Sequence, residues 1–233
     1  MTDSIDFIRW KLTITDKQYT LHGNFGIGKP NTNGFYGGGK ILELNGTLTK
    51  AKNIYNLSNG GKTLGLAELN VNLLHILDDA NQLLVGNGGW SYTLNNVSAM
   101  TTSLVNWVAP PSVLKDSMAF EGRTPCGVPG IMEPGRPCYK LKWLLVLYAN
   151  PVENKPSTYK IYGTAWRKER FKKGTWKILT VPGDRTTYQL NDEKGSTFIN
   201  LIKLDKNILV FTDAAGNLLV GDLDFSYTLN GRR

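Results

Sequence analysis

Apolar and polar residues alternate along the first clearly patterned stretch of the chain. Trp10, Leu12 and Ile14 fall on one side, and Lys11, Thr13 and Thr15 on the other. A period of two marks a strand with one buried face. Tyr188-Gln189-Leu190 and Phe198-Ile199-Asn200-Leu201 repeat the pattern, and Leu144-Leu145-Val146-Leu147-Tyr148 is an apolar run of strand length. Asp213-Ala214-Ala215-Gly216-Asn217 separates Leu209-Val210-Phe211 from Leu218-Leu219-Val220. Its Gly and Asn accept the positive φ of a tight hairpin. Leu64 to Leu77 is leucine-rich and resembles a helix on composition. The corresponding stretch from Thr197 to Thr212 carries Ile199, Ile202, Ile208 and Val210, so the expectation is strands in both.

The same pattern occurs twice. Asp78-Asp79-Ala80-Asn81-Gln82-Leu83-Leu84-Val85-Gly86 is followed by Trp90-Ser91-Tyr92-Thr93-Leu94-Asn95. Asp213-Ala214-Ala215-Gly216-Asn217-Leu218-Leu219-Val220-Gly221 is followed by Phe225-Ser226-Tyr227-Thr228-Leu229-Asn230. The blocks align without a gap. Weaker anchors precede them: Trp10 with Trp143, Tyr19-Thr20-Leu21-His22-Gly23 with Tyr159-Lys160-Ile161-Tyr162-Gly163, Lys40-Ile41-Leu42 with Lys177-Ile178-Leu179, and Tyr55-Asn56-Leu57 with Tyr188-Gln189-Leu190. Short antiparallel strands must pair or close, because open edges are a liability. The expected fold is therefore all-β: two tandem small antiparallel β-barrels related by an internal repeat. The expected divisions are residues 1–95, an ordered linker 96–119 containing Trp107 and Pro110-Pro111, and residues 120–233. The second unit opens with a leading piece that the first mostly lacks.

Composition adds little. The formal charge of +8 is scattered except in Arg167-Lys168-Glu169-Arg170-Phe171-Lys172-Lys173. Such a run usually marks a solvated face, here a hairpin tip. Its functional alternative is a contact between Arg167, Lys168, Arg170, Lys172 and Lys173 and a polyanion. Nucleic acid is not an expected partner, and no apolar run reaches the ~18 residues of a membrane span. Gly34-Phe35-Tyr36-Gly37-Gly38-Gly39-Lys40 nearly spells a phosphate loop, but Ile41 stands where a Ser or Thr would hold magnesium. His22 and His75 match Tyr162 and Val210 across the repeat, so no histidine site is shared by both units. No nucleophile elbow or recurring triad is present, and the expectation is no enzyme.

The second unit runs Phe120-Glu121-Gly122-Arg123-Thr124-Pro125-Cys126, then Tyr139-Lys140-Leu141-Lys142-Trp143, Gly174-Thr175-Trp176, Tyr188-Gln189-Leu190, Leu209-Val210-Phe211-Thr212-Asp213 and Phe225-Ser226-Tyr227-Thr228-Leu229. This series resembles the N-terminal domain of the NlpE family of bacterial lipoproteins, which are linked to copper resistance and envelope stress. The resemblance implies a lipocalin-like barrel, a cell-envelope location and no catalysis. It also implies a precursor with a signal segment and a lipid-anchoring cysteine upstream of Met1. The family's opening cysteine belongs to a Cys-x-x-Cys pair. Here Cys126 fits the first position, but Pro129 stands at the second.

Met118, Cys126, Met132 and Cys138 gather among Pro125, Pro129, Pro134 and Pro137. Thiolates and thioethers suit Cu(I), so the four residues could form a copper site. Two nearby cysteines in an exported protein are more simply a disulfide, Cys126–Cys138, and that reading is preferred. Two functions follow as expectations. One is an envelope module for sensing or copper homeostasis that acts through a protein partner. The other is a carrier of a small apolar ligand, which an open cavity lined by Trp10, Leu12 and Trp143 would favour and two filled interiors would oppose.

Overall fold

The computed structural model describes residues 5–30, 32–87, 89–98, 107–110, 113–131, 138–181 and 185–232. The chain is all-β. The first unit comprises β1 (Phe7–Ile14), β2 (Gln18–Gly26), β3 (Lys40–Ala51), β4 (Ile54–Asn59), β5 (Lys62–Asn70), β6 (Leu73–Ile76) and β7 (Thr93–Asn95). The second comprises β8 (Ser117–Thr124), β9 (Leu141–Asn150), β10 (Lys155–Gly163), β11 (Lys172–Val181), β12 (Arg185–Asn191), β13 (Thr197–Lys203), β14 (Ile208–Thr212) and β15 (Thr228–Gly231). In each unit neighbours in sequence pair antiparallel. The second closes into an eight-stranded lipocalin-like barrel because β8 lies between β15 and β9. The first is a barrel-like sheet of seven strands whose outer members are β1 and β7. Leu64 to Leu77 lies on β5 and β6, as strands.

Register makes the repeat explicit. Trp10 lies opposite Gly23 and Trp143 opposite Gly163. Tyr19 lies opposite Gly46 and Tyr159 opposite Gly174. A Cβ on Gly46 would collide with the Ser58 carbonyl oxygen, and one on Gly174 with that of Asn191; each would also press on the facing tyrosine ring. These pairings correct one sequence match. Gly46-Thr47-Leu48 corresponds to Gly174-Thr175-Trp176, so Lys177-Ile178-Leu179 corresponds to Thr49-Lys50-Ala51 rather than to Lys40-Ile41-Leu42. A shared Lys-Ile-Leu triplet suggested the wrong register, whereas the space under the tyrosine ring sets the real one.

The leading piece of the second unit is β8, which starts at Ser117, inside the stretch expected to be linker. Elsewhere in that stretch, the Trp107 indole N–H donates to the Leu204 carbonyl at 3.0 Å, and Leu114 is buried. Residues 99–106 and 111–112 of the linker lie outside the described residues.

The units meet through equivalent faces. Ala67, Leu69, Leu73, Leu77 and Leu83 from the first form one buried cluster with Ile202, Leu204, Ile208, Val210 and Leu218 from the second. Leu73 pairs with Asn95 as Ile208 pairs with Asn230. The Thr93 and Thr228 hydroxyls, which are repeat equivalents, hydrogen-bond to each other at 3.0 Å. The Asn95 carbonyl oxygen accepts from Gly221 N–H at 3.0 Å, and its amide donates to the Phe225 carbonyl at 3.2 Å. Asn230 does the same in reverse, accepting from Gly86 N–H and donating to the Trp90 carbonyl, both at 2.9 Å. This reciprocity is that of an isologous two-fold interface, built here within one chain.

Candidate functional site: an open cleft in the first unit

Among the described residues no strand of the first unit corresponds to β8, and β1 and β7 are not joined. Among the described residues β1 pairs only with β2, and β7 only with β6. The opening leads into a cleft of about 1370 Å³. Its walls include Trp10, Leu12 and Ile14 of β1, Tyr55, Leu74, Tyr92 and Leu94 from the rest of the first unit, and Arg123 and Asp222 to Ser226 from the second unit.

Equivalent side chains have different surroundings in the two units. On β9, Leu141, Trp143, Leu145 and Leu147 point inward and are buried, at most 4% exposed. Their counterparts on β1 are Ile8, Trp10, Leu12 and Ile14. The first three are only half-buried, and Ile14 is 39% exposed. Tyr188, Leu209, Tyr227 and Leu229 are buried, whereas Tyr55, Leu74, Tyr92 and Leu94 are half-buried. The second interior is filled by Trp143, Tyr159, Trp176, Tyr188 and Phe211 among leucines and isoleucines. An apolar face of the same pattern is therefore covered in one unit and uncovered in the other.

Aromatic rings stack across one end of the cleft. Phe7 lies 4.4 Å from Phe35 and 4.3 Å from Trp90, and Trp90 lies 6.0 Å from Phe225 of the second unit. The Arg123 guanidinium sits over the Trp90 ring at 4.4 Å. Burial holds its pKa below the usual arginine range. Arg9 of β1 forms a 2.7 Å ion pair with Asp224. The carboxylate of Glu68 pairs with Lys50 at 2.7 Å, and this bond raises the lysine's pKa. Asn24 Oδ1, Asn33 Oδ1, Arg123 Nη1 and Ser226 Oγ are buried without hydrogen-bond partners, and all four residues line the cleft. Buried polar atoms normally find partners, so their concentration here is a property of the site.

The cysteines, Met118 and the basic run lie elsewhere. Cys126 and Cys138 are joined by a disulfide, with Cα atoms 6.0 Å apart. Met118 does not join them. It packs against the second barrel's core from the start of β8, six residues and about 20 Å along an extended strand from Thr124. Of the four residues grouped as a possible copper site, the two cysteines are thus paired with each other, as the preferred reading expects, and Met132 lies outside the described residues. Arg167, Lys168, Arg170 and Lys173 are exposed in and beside the β10–β11 connection; Lys172 lies over the Phe198 ring at 5.1 Å, and Lys173 pairs with Glu193 at 3.2 Å. Gly37, Gly38 and Gly39 all have positive φ in the connection that leads into β3, so the glycine run is an interstrand turn.

His22 is exposed, with Glu43 at 3.6 Å. His75 is fully buried between Thr93 Oγ1 and the Leu84 carbonyl, both at 2.9 Å. Burial lowers its pKa to about 4, against a small opposing effect of the Leu84 carbonyl. Trp10 and Leu12 line the cleft, as expected of walls of an open cavity, whereas Trp143 fills the closed barrel. No family model, curated protein or solved structure matches the chain.

Proposed function

We propose that the chain is a non-enzymatic binding module in which the filled second barrel is a scaffold and the open cleft of the first unit receives an apolar ligand. The observation supporting this is the uncovered inward face of Ile8, Trp10, Leu12 and Ile14, whose counterparts on β9 are buried. Covering such a face releases about 25 cal/mol per Å² of apolar area. Among the carboxylates at the cleft, Glu68 and Asp224 are held in ion pairs, Asp6 accepts from the Gly28 N–H, and Asp222 accepts from the Asp224 and Phe225 N–H groups, which suits binding better than acid–base chemistry. The cleft favours the carrier alternative over copper homeostasis, because Met118 and the cysteine pair do not converge. From the resemblance to NlpE proteins comes the further proposal that the module works in the cell envelope.

Titration with an anilinonaphthalene sulfonate dye, followed by tryptophan fluorescence, tests the reading. Trp10 and Trp90 line the cleft and should report saturable binding. Leu12→Glu places a charge on the apolar wall and should weaken binding at least tenfold, about 1.4 kcal/mol. Equal affinity in the folded variant and the parent would place the dye elsewhere and overturn the proposal.

A further inference from the structure

We infer that the occupant of the cleft is an extended segment of a partner protein, which enters as an added strand between β1 and β7 and completes the first barrel as β8 completes the second. This deepens the proposed function and rests on it. The internal repeat supplies the template. In the second unit β8 pairs antiparallel with β9 over its whole length, from Ser117 opposite Tyr148 to Thr124 opposite Leu141, and with β15 through Phe120 and Glu121. The equivalent partners in the first unit are residues 8–15 and Asn95–Asn96. Among the described residues β1 offers eight residues of edge, about 26 Å of unpaired backbone. Edge backbone of this kind is what β-augmentation uses for affinity, while alternate side-chain pockets provide specificity.

Three further observations point the same way. At about 1370 Å³ the cleft exceeds the ~300–1,000 Å³ typical of small-molecule pockets and runs along a strand. It is continuous with the inter-unit interface, because Arg123 and Asp222 to Ser226 form one wall. Four of its lining residues, Asn24, Asn33, Arg123 and Ser226, each carry a buried polar atom without a hydrogen-bond partner. These atoms include a guanidinium nitrogen that can donate and amide oxygens that can accept, a mixed set suited to the alternating N–H and C=O groups of a peptide.

The template also specifies a pattern. The inward residues of β8 are Met118, Phe120, Gly122 and Thr124, opposite Leu147, Leu145, Trp143 and Leu141. Their equivalents in the first unit are Ile14, Leu12, Trp10 and Ile8. The incoming strand should therefore present, at every second position, an aliphatic residue, an aromatic, a glycine and a threonine or serine. The glycine is required because a Cβ on Gly122 would collide with the Leu229 side chain and press on the Thr228 carbonyl, and Leu94 and Thr93 hold those places in the first unit. The Trp143 indole N–H donates to Thr124 Oγ1 at 2.8 Å, a bond that Trp10 can reproduce.

The test uses the intact chain and a synthetic peptide with the sequence of β8, Ser117 to Thr124. Calorimetry should give one peptide per chain. Amide hydrogen exchange by NMR should show new protection on β1, from Ile8 to Ile14. A peptide with valine in place of the central glycine should bind at least tenfold more weakly. The peptide should also displace the dye. Dye binding without peptide binding overturns the strand and leaves the apolar site standing, whereas failure of both overturns both. Protection on β9 instead of β1 would mean exchange with the intrachain β8 and count against the proposal. So would β1 amides protected before peptide is added, since the edge would then already be paired by this chain or by a second copy.

Discussion

Replacing Asn230 with alanine is expected to destabilise the chain by about 2–4 kcal/mol, since two half-buried backbone groups lose their partners at about 1–2 kcal/mol each, the lower part of the usual range. Asn230 is 1% exposed and occupies both sides of its amide, accepting from Gly86 N–H and donating to the Trp90 carbonyl. Gly86 cannot adapt by gaining a side chain, because its Cβ would collide with the Trp90 carbonyl oxygen. Asn95→Ala removes the equivalent clasp from the other side. Asn95 is only half-buried, so its loss should be smaller, about 1–2 kcal/mol. Urea denaturation of the two variants and the double variant measures the effect. The Gly86 amide should lose hydrogen-exchange protection in Asn230→Ala and the Gly221 amide in Asn95→Ala. A change below about 0.5 kcal/mol in Asn230→Ala would mean that the clasp is not holding the units together.

The same contacts explain what was legible in the sequence. The gap-free block ending in Tyr-Thr-Leu-Asn was the clearest signal because it forms the interface between units. Leu83 and Leu218 lie in the shared cluster, Gly86 and Gly221 back the clasps, Thr93 and Thr228 meet, and Asn95 and Asn230 reach across. A two-fold interface asks the same residues of both sides, so it leaves near-identity in the two copies. Strand pattern also carried over, since Trp10, Leu12 and Ile14 alternate as their β9 counterparts do. The cleft itself was not legible, because β1 and β9 carry the same apolar alternation and differ only in what covers them. Only the unmatched length at the start of the second unit hinted at it. Met118 was grouped with the cysteines because it is near them in sequence. On the extended β8, Met118 stands about 20 Å from Thr124, the strand's last residue, which precedes Cys126.

His75→Val should make the chain markedly less sensitive to acid, and the sign follows from the hydrogen bonds around the ring. The Leu84 carbonyl can only accept, so His75 Nε2 carries the hydrogen and donates to it. Nδ1 is then the acceptor and takes the Thr93 hydroxyl hydrogen. With that hydrogen committed, Thr228 must donate to Thr93 Oγ1, which also accepts from Ser91 Oγ at 3.0 Å. The neutral ring, fully buried, thus has both nitrogens hydrogen-bonded. Protonating Nδ1 would turn a donor against the Thr93 hydroxyl and bury a charge. The native pKa is accordingly near 4, against the ordinary 6.5. Between those values the unfolded chain binds the proton and the native chain does not. The stabilising contribution is therefore complete above about pH 6.5 and is lost as pH falls toward 4. From about pH 7 to about pH 4.5 the loss should be on the order of 2–3 kcal/mol from this residue. Valine, which Val210 supplies at the equivalent place, cannot titrate. His75→Val leaves the Leu84 carbonyl without its side-chain donor, so it should start about 1 kcal/mol less stable at neutral pH. It should then lose less on acidification and cross the parent's stability within the pH window where the parent is still folded. Urea midpoints of both proteins across that range supply the comparison. Parallel profiles would show that His75 titrates alike in the native and unfolded chains, contrary to the neutral, doubly bonded ring described here.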